Sequence, residues 1–175
     1  MKRIFTVLAT VIMAVNMMAQ KSELGVVVGG FNGLSYKYWF SEQCALQTDL
    51  AVGITAAPGA LYFKGTKLIP EATNAQYDFT INPNFEYHFD LAASVQLYTG
   101  AGVNFGLVSD LANTNPNAIM GKFGANAIVG IAVPVNPIVI AFDFRPGYGL
   151  GFIDTNSPHF SFFDWKLGLA VRYCF

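Results

Sequence analysis

The stretch Asp164 to Phe175, DWKLGLAVRYCF, constrains the fold more than any other. Its odd positions, Trp165, Leu167, Leu169, Val171, Tyr173 and Phe175, are large and apolar, whereas its even positions are charged or small. Side chains of a strand point alternately to opposite faces, so this is one strand with a greasy face and a polar face. A helix would scatter the same residues around its axis. A tilted strand crosses a bilayer in about 9–11 residues, a length available here. Trp165 lies at one end of the apolar face and Tyr173 and Phe175 at the other, the placement of interfacial aromatic girdles.

Composition agrees with a lipid-facing exterior. Charged residues make up 12% of the 175-residue chain against 53% hydrophobic, with 17 Gly and 16 Phe. Ordinary globular chains carry roughly 25% charged residues, so the surface is short of the charge that keeps a soluble protein dispersed. Residues 1–19 read as a secretory signal, with Lys2 and Arg3, an apolar run from Ile4 to Val15, and the small Ala19 before a cut ahead of Gln20. The expected mature domain is 20–175. Removing Lys2 and Arg3 takes the formal charge from −1 to −3 and leaves no basic patch, which argues against nucleic acid as a partner. No later apolar run is long enough for a transmembrane helix, and alternating strands account for the high hydropathy.

Eight strands follow from the alternation, at about 23–30, 34–40, 45–54, 77–89, 94–107, 122–133, 138–150 and 164–175. Phe31-Asn32-Gly33, Ser41–Cys44, Asp90–Ala93 and Pro134–Pro137 read as short turns. Longer connections fall at 55–76, 108–121 and 151–162, and Leu61-Tyr62-Phe63 suggests a hairpin inside the first of them. Trp39 breaks the second strand's pattern by pointing inward. Pro83 cannot donate to a ladder, so a bulge or irregularity is expected there. Three short turns at one end, three longer loops at the other with one short exception after the first strand, and an even strand number predict an all-β, eight-stranded antiparallel up-and-down transmembrane barrel, with both termini at the short-turn end.

This pattern resembles the small eight-stranded outer-membrane β-barrel proteins of the OmpA-barrel and OmpX type, often labelled porin-like. The resemblance rests on the signal, strand count, loop alternation, Leu34-Ser35-Tyr36-Lys37-Tyr38-Trp39 after Phe31-Asn32-Gly33, and the closing Arg172-Tyr173-Cys174-Phe175. It implies a place in the bacterial outer membrane, contact with its lipid, and a monomer. Tyr173 and Phe175 then stand where such proteins present an assembly signal to the barrel-assembly machinery. The group includes adhesins, stability factors and small lipid enzymes.

The inward parity gathers Lys37, Asp49, Glu86, Asp143, Arg145, Asp164, Lys166 and Arg172, with Asn82, Asn84, Asn104 and Asn126. They could line a conduit or form a packed polar core whose charges pair. An eight-stranded interior is just wide enough for side chains to fill, which favours the packed core as a structural network. Lys37 and Asp49 are the expected pair across the second hairpin. His159 near Ser157 and Ser161 gives slight support to a lipid enzyme, but no spacing fixes a triad, and no catalytic residue, metal site or cofactor is expected. Cys44 and Cys174 fall at the periplasmic end and are expected as free thiols. Inward Gly100, Gly102, Gly124 and Gly130 leave room for charged neighbours.

The resulting expectation is a non-enzymatic outer-membrane barrel with an envelope-structural or loop-mediated recognition role, meeting an external ligand through 55–76, 108–121 and 151–162. A small passive channel and a lipid-modifying enzyme are the rivals. A soluble lipocalin-like barrel would need an apolar interior, against Glu86, Asp143 and Arg145.

Overall fold

A computed structural model describes residues 22–55, 60–64, 67–69, 76–92, 94–109, 119–152 and 160–175. The signal segment, Ser157 and His159 lie outside them. Ten strands run in chain order: β1 (Ser22–Gly29), β2 (Asn32–Trp39), β3 (Cys44–Thr55), β4 (Ala60–Lys64), β5 (Lys67–Ile69), β6 (Gln76–Ala92), β7 (Val95–Ser109), β8 (Ile119–Val135), β9 (Ile138–Phe152) and β10 (Phe160–Cys174). Eight of them form the wall in the order β1-β2-β3-β6-β7-β8-β9-β10, and β1 pairs with β10 to close it. Every pairing is antiparallel, and closure leaves no open ladder at membrane depth.

The closing seam runs from Glu23 opposite Cys174 to Gly29 opposite Gly168. Beyond it, Phe175 and Ser22 exchange two backbone hydrogen bonds, 2.9 and 3.1 Å long. The alternation of β10 is kept throughout: Trp165, Leu167, Leu169, Val171 and Tyr173 face out, while Gly168, Ala170 and Arg172 are buried. The same division holds around the wall, with Val26, Leu50, Phe85, Phe105, Ile131 and Phe142 among the exposed large apolar side chains and charged groups among the buried ones. This is a soluble protein turned inside out, an arrangement that lipid solvates and water does not. Among the described residues no helix is long and apolar enough to cross a membrane.

β1 and β2 have 8 residues each, whereas β6 and β8 have 17. The long strands exceed the roughly 9–11 residues a bilayer needs and rise past it. The wall is therefore low where β1 turns into β2. Gly29, at φ 134°, takes that turn with a backbone conformation that other residues rarely adopt, and its N–H donates to Asn32 Oδ1 at 3.2 Å. The β4–β5 hairpin occupies the place above it. β4 pairs with β10 at Ser161 to Asp164, just past the last β1 contact, so β4 continues the wall where β1 leaves off.

The hairpin suggested by Leu61-Tyr62-Phe63 is present: β4 and β5 pair within the 55–76 segment, beside a wall of eight strands. Strand structure reaches into the connections expected at 108–121 and 151–162, with β7 running to Ser109, β8 starting at Ile119, β9 running to Phe152 and β10 starting at Phe160, because the apolar-polar alternation carries on beyond the bilayer. The irregularity expected at Pro83 is a lapse in pairing and not a bulge. It sits opposite Thr48 on β3, and on the β7 side pairing lapses between Ile81–Phe105 and Asn84–Gly102, then resumes in the same register. A missing N–H costs a bond without demanding an extra residue. The register shift of β6 falls instead between Asp90 and Ala92, at the turn.

Candidate functional site in the charged lumen

Strand parity sends six carboxylates and five cations inward among the described residues: Glu23, Asp49, Asp78, Glu86, Asp143 and Asp164 with Lys37, Lys122, Arg145, Lys166 and Arg172. Buried charge is costly unless paired and hydrogen-bonded, and these residues sort into three paired groups along the barrel.

The first group lies toward the termini. Arg172 Nε donates to Glu23 Oε2 at 3.0 Å across the β1–β10 seam, and its Nη1 donates to Ser35 Oγ at 3.1 Å. Trp39 is inward and its Nε1 donates to Glu23 Oε1 at 2.8 Å. Lys37 Nζ lies 2.6 Å from Glu86 Oε2, and His88 Nε2 is 3.1 Å from the same oxygen. The His88 ring sits between Trp39 and Tyr98, with ring centres 4.4 and 5.0 Å away. Lys37 also stands 4.7 Å over the Tyr98 ring, a cation–π contact inside the lumen.

The second group spans the lumen. Arg145 on β9 grips Asp143 with two donors, Nε to Oδ1 at 2.8 Å and Nη2 to Oδ2 at 2.9 Å, and gives Nη1 to Asp49 on β3. In an eight-stranded ring, β3 and β9 are diametrically opposed. Tyr98 Oη donates to Asp143 at 3.2 Å and Gln47 Nε2 to Asp49 at 3.1 Å. Phe31, carried in by the low β1–β2 turn, covers the guanidinium at 4.6 Å.

The third group lies toward the outer loops. Lys122 is 3.6 Å from both Asp78 and Asp164, and Lys166 is 3.8 and 3.4 Å from the same two carboxylates. These separations are looser than those of the other groups. Phe162 lies 4.3 Å beneath Lys122 and packs with Val108 and Met120 as an apolar cluster. Between the second and third groups is a polar cavity of about 20 Å³, lined by Phe31, Asn82, Asn104, Asn126, Arg145, Asp164 and Lys166.

The pairing differs from the sequence expectation in one respect. Lys37 does not meet Asp49. In the β2–β3 register Lys37 stands opposite Gln47, and Asp49 stands opposite Ser35. The long lysine crosses β3 to reach Glu86 on β6, which leaves Asp49 to Arg145. Glu23, Asp78 and Lys122 complete the network and were missed as members; each has the inward parity of its strand, which is the signal that finds them. Tyr98 and His88 also share that parity. Tyr173 and Phe175 face outward beside the β1–β10 seam. Cys44 and Cys174 are thiols and form no disulfide. Among the described residues no cluster of His, Cys, Asp and Glu is arranged to hold a metal.

No protein-family model and no curated protein matches the chain. Solved structures do. The N-terminal β-barrel domain of Pseudomonas aeruginosa OprF superposes with a TM-score of 0.53 at 12% identity, covering 89% of this chain and 96% of that one. Neisserial surface protein A gives 0.51 at 16% identity, covering 89% and 94%. Ail, the attachment invasion locus protein of Yersinia pestis, gives 0.42 at 17% identity, covering 89% and 100%. The closed eight-stranded antiparallel wall is the fold that this chain shares with the OprF N-terminal barrel and Neisserial surface protein A, and its own apolar exterior and charged lumen suit a wall surrounded by lipid.

Proposed function

We propose that this chain is a non-enzymatic barrel of the outer membrane that is sealed along its axis, contributes to envelope structure, and offers its outer rim to an external partner. The observation that carries the reading is the Asp49–Arg145–Asp143 crossbar, which joins opposite walls directly. A solute moving along the lumen would have to break it, together with the ion pairs on either side. A stable conduit is therefore disfavoured, and what remains available to a partner is the rim, where β4 and β5 stand above the short β1–β2 turn. The inward charged groups are engaged with one another rather than gathered around a nucleophile, which supports the non-enzymatic reading. The chain acts as a monomer in this reading, since the wall closes on itself.

The test is twofold. Purified barrel inserted in a planar lipid bilayer should give no sustained conductance steps; long-lived uniform steps would overturn the sealed reading in favour of a passive channel. Intact cells bearing the wild-type chain should capture a surface ligand that cells bearing a chain shortened within 55–76 do not. Identical capture would leave the structural role alone, and lipid A mass spectra altered by the gene would point to an enzyme.

A further inference from the structure

We infer that the polar headgroups of outer-leaflet lipid descend beside β1 and fill a break in the wall between the β1–β2 turn and β4. This concerns the lipid around the barrel and is separate from what the rim binds. Two observations converge on it. The first is height. From Leu24, opposite Tyr173, to Gly29, β1 rises by five residues, about 13 Å at a strand tilt near 40°. The exposed Gly29, Gly30 and Asn32 follow at once. β7 stands diametrically opposite in the ring. From Leu97, opposite Phe89, to the exposed Leu107 it rises by ten residues, about 25 Å, the usual height of the apolar band. Polar main chain on the β1 side therefore stands at the level of the exposed Val103 on the β7 side.

The second observation is main chain left without a strand opposite it. The ladder of β10 with β1 ends at Gly168, and its ladder with β4 begins at Asp164. Among the described residues, Trp165, Lys166 and Leu167 therefore face no strand on that side. Gly30 N–H reaches across to Leu167 O at 2.8 Å, just past the end of the ladder. Phe175 and Leu167 both bond toward β1, and residues an even number apart on a strand direct their main-chain groups to the same side. Trp165 thus turns its N–H and C=O into the break. Phe31 of the turn is buried in the lumen, which leaves main chain and Asn32 outside. A Cβ at Gly30 would come within 3.2 Å of Lys166 Cβ, so the turn lies flush against β10 below the break. Unpaired main chain is not tolerated in hydrocarbon. The open ladder stays out of it only where the headgroups and their water come down to meet it, and thinning is the usual response of a bilayer to a wall that is too short. A strand from another protein would find only three residues to join.

The experiment uses the folded chain in phosphatidylcholine vesicles. Cys44→Ser and Cys174→Ser remove the native thiols, and Asn32→Cys or Val103→Cys then carries a bimane label at similar height on opposite sides. Folding of each variant is checked first by its heat-dependent gel mobility. Phosphatidylcholine with a nitroxide on its headgroup should quench the Asn32 label more strongly than phosphatidylcholine with a nitroxide deep in its acyl chain. The Val103 label should show the reverse order. Stronger quenching of both labels by the acyl-chain nitroxide would mean that hydrocarbon covers the turn and would overturn the inference. So would equal headgroup quenching of both, which describes a flat leaflet, or an Asn32 label that neither nitroxide reaches, which places a second copy or another protein in the break. Wild-type protein in phosphatidylcholine nanodiscs gives a measurement that needs no variant. The Trp165 N–H should exchange with deuterium on the order of a hundredfold faster than the N–H of Leu169, which has Val28 opposite it. Equal protection of the two would overturn the inference, and it decides alone should the labelled variants fail to fold.

Discussion

Lys37 of β2 passes over β3 to place its Nζ 2.6 Å from Glu86 Oε2 on β6, although Asp49 lies nearer on the hairpin ladder. Removing one member of a buried pair strands the other's charge, so Lys37→Met and Glu86→Leu should each cost about 3–5 kcal/mol. The double variant should recover much of that loss in a cycle measured by urea unfolding in vesicles. Lys37→Met with Asp49→Leu should show a much smaller coupling. A larger coupling to Asp49 than to Glu86 would contradict the geometry.

The outer face of β10 predicts a depth profile. Leu169 and Tyr173 both point outward, Leu169 near the middle of the strand and Tyr173 at the terminal end. A cation facing lipid costs about 2–4 kcal/mol at the midplane and about 0–1 near the interface. Leu169→Arg should destabilise the vesicle-embedded barrel by the larger amount and Tyr173→Arg by the smaller. Equal large losses would mean that this face is a uniform protein core.

Deleting Phe175 should separate assembly from stability. The deletion removes two backbone bonds to Ser22, each worth about 0.5–1.5 kcal/mol net, and leaves the ladder from Glu23 to Gly29 in place. Refolding in detergent should survive, while the amount of barrel reaching the outer membrane in cells should fall. Undiminished assembly would remove Phe175 from that role.

The thiols give a simple mass test. Denatured protein alkylated without reductant should gain two labels, one on Cys44 and one on Cys174. An unlabelled pair that takes up label only after reduction would reveal a disulfide.

Parity along a strand is local, and it made the wall legible: Trp39 inward, Leu169 outward and the whole inward charged set follow from counting by twos. Partners across the lumen are not local. Which side chain Lys37 meets depends on the stagger between β2, β3 and β6 and on the reach of its four-carbon stem. The Asp49–Arg145 contact joins strands half a circumference apart. Nothing in the spacing of residues 49 and 145 encodes that distance. Strand ends were misplaced for a related reason, because the alternation continues past the bilayer in β6 to β10 and no residue marks where lipid stops. Membership of Glu23, Asp78 and Lys122 was within reach, since each sits on the correct face.

The way β4 takes over from β1 along β10 has an evolutionary consequence. The lipid seal on that side is written in residues 22–29 and 168–174, and the parapet above it in β4 and β5, residues 60–64 and 67–69. The two stretches contact β10 at different heights and share no register. Insertions, deletions and substitutions in the parapet can thus accumulate without disturbing closure, while changes in the first strand are held to the geometry of the seam.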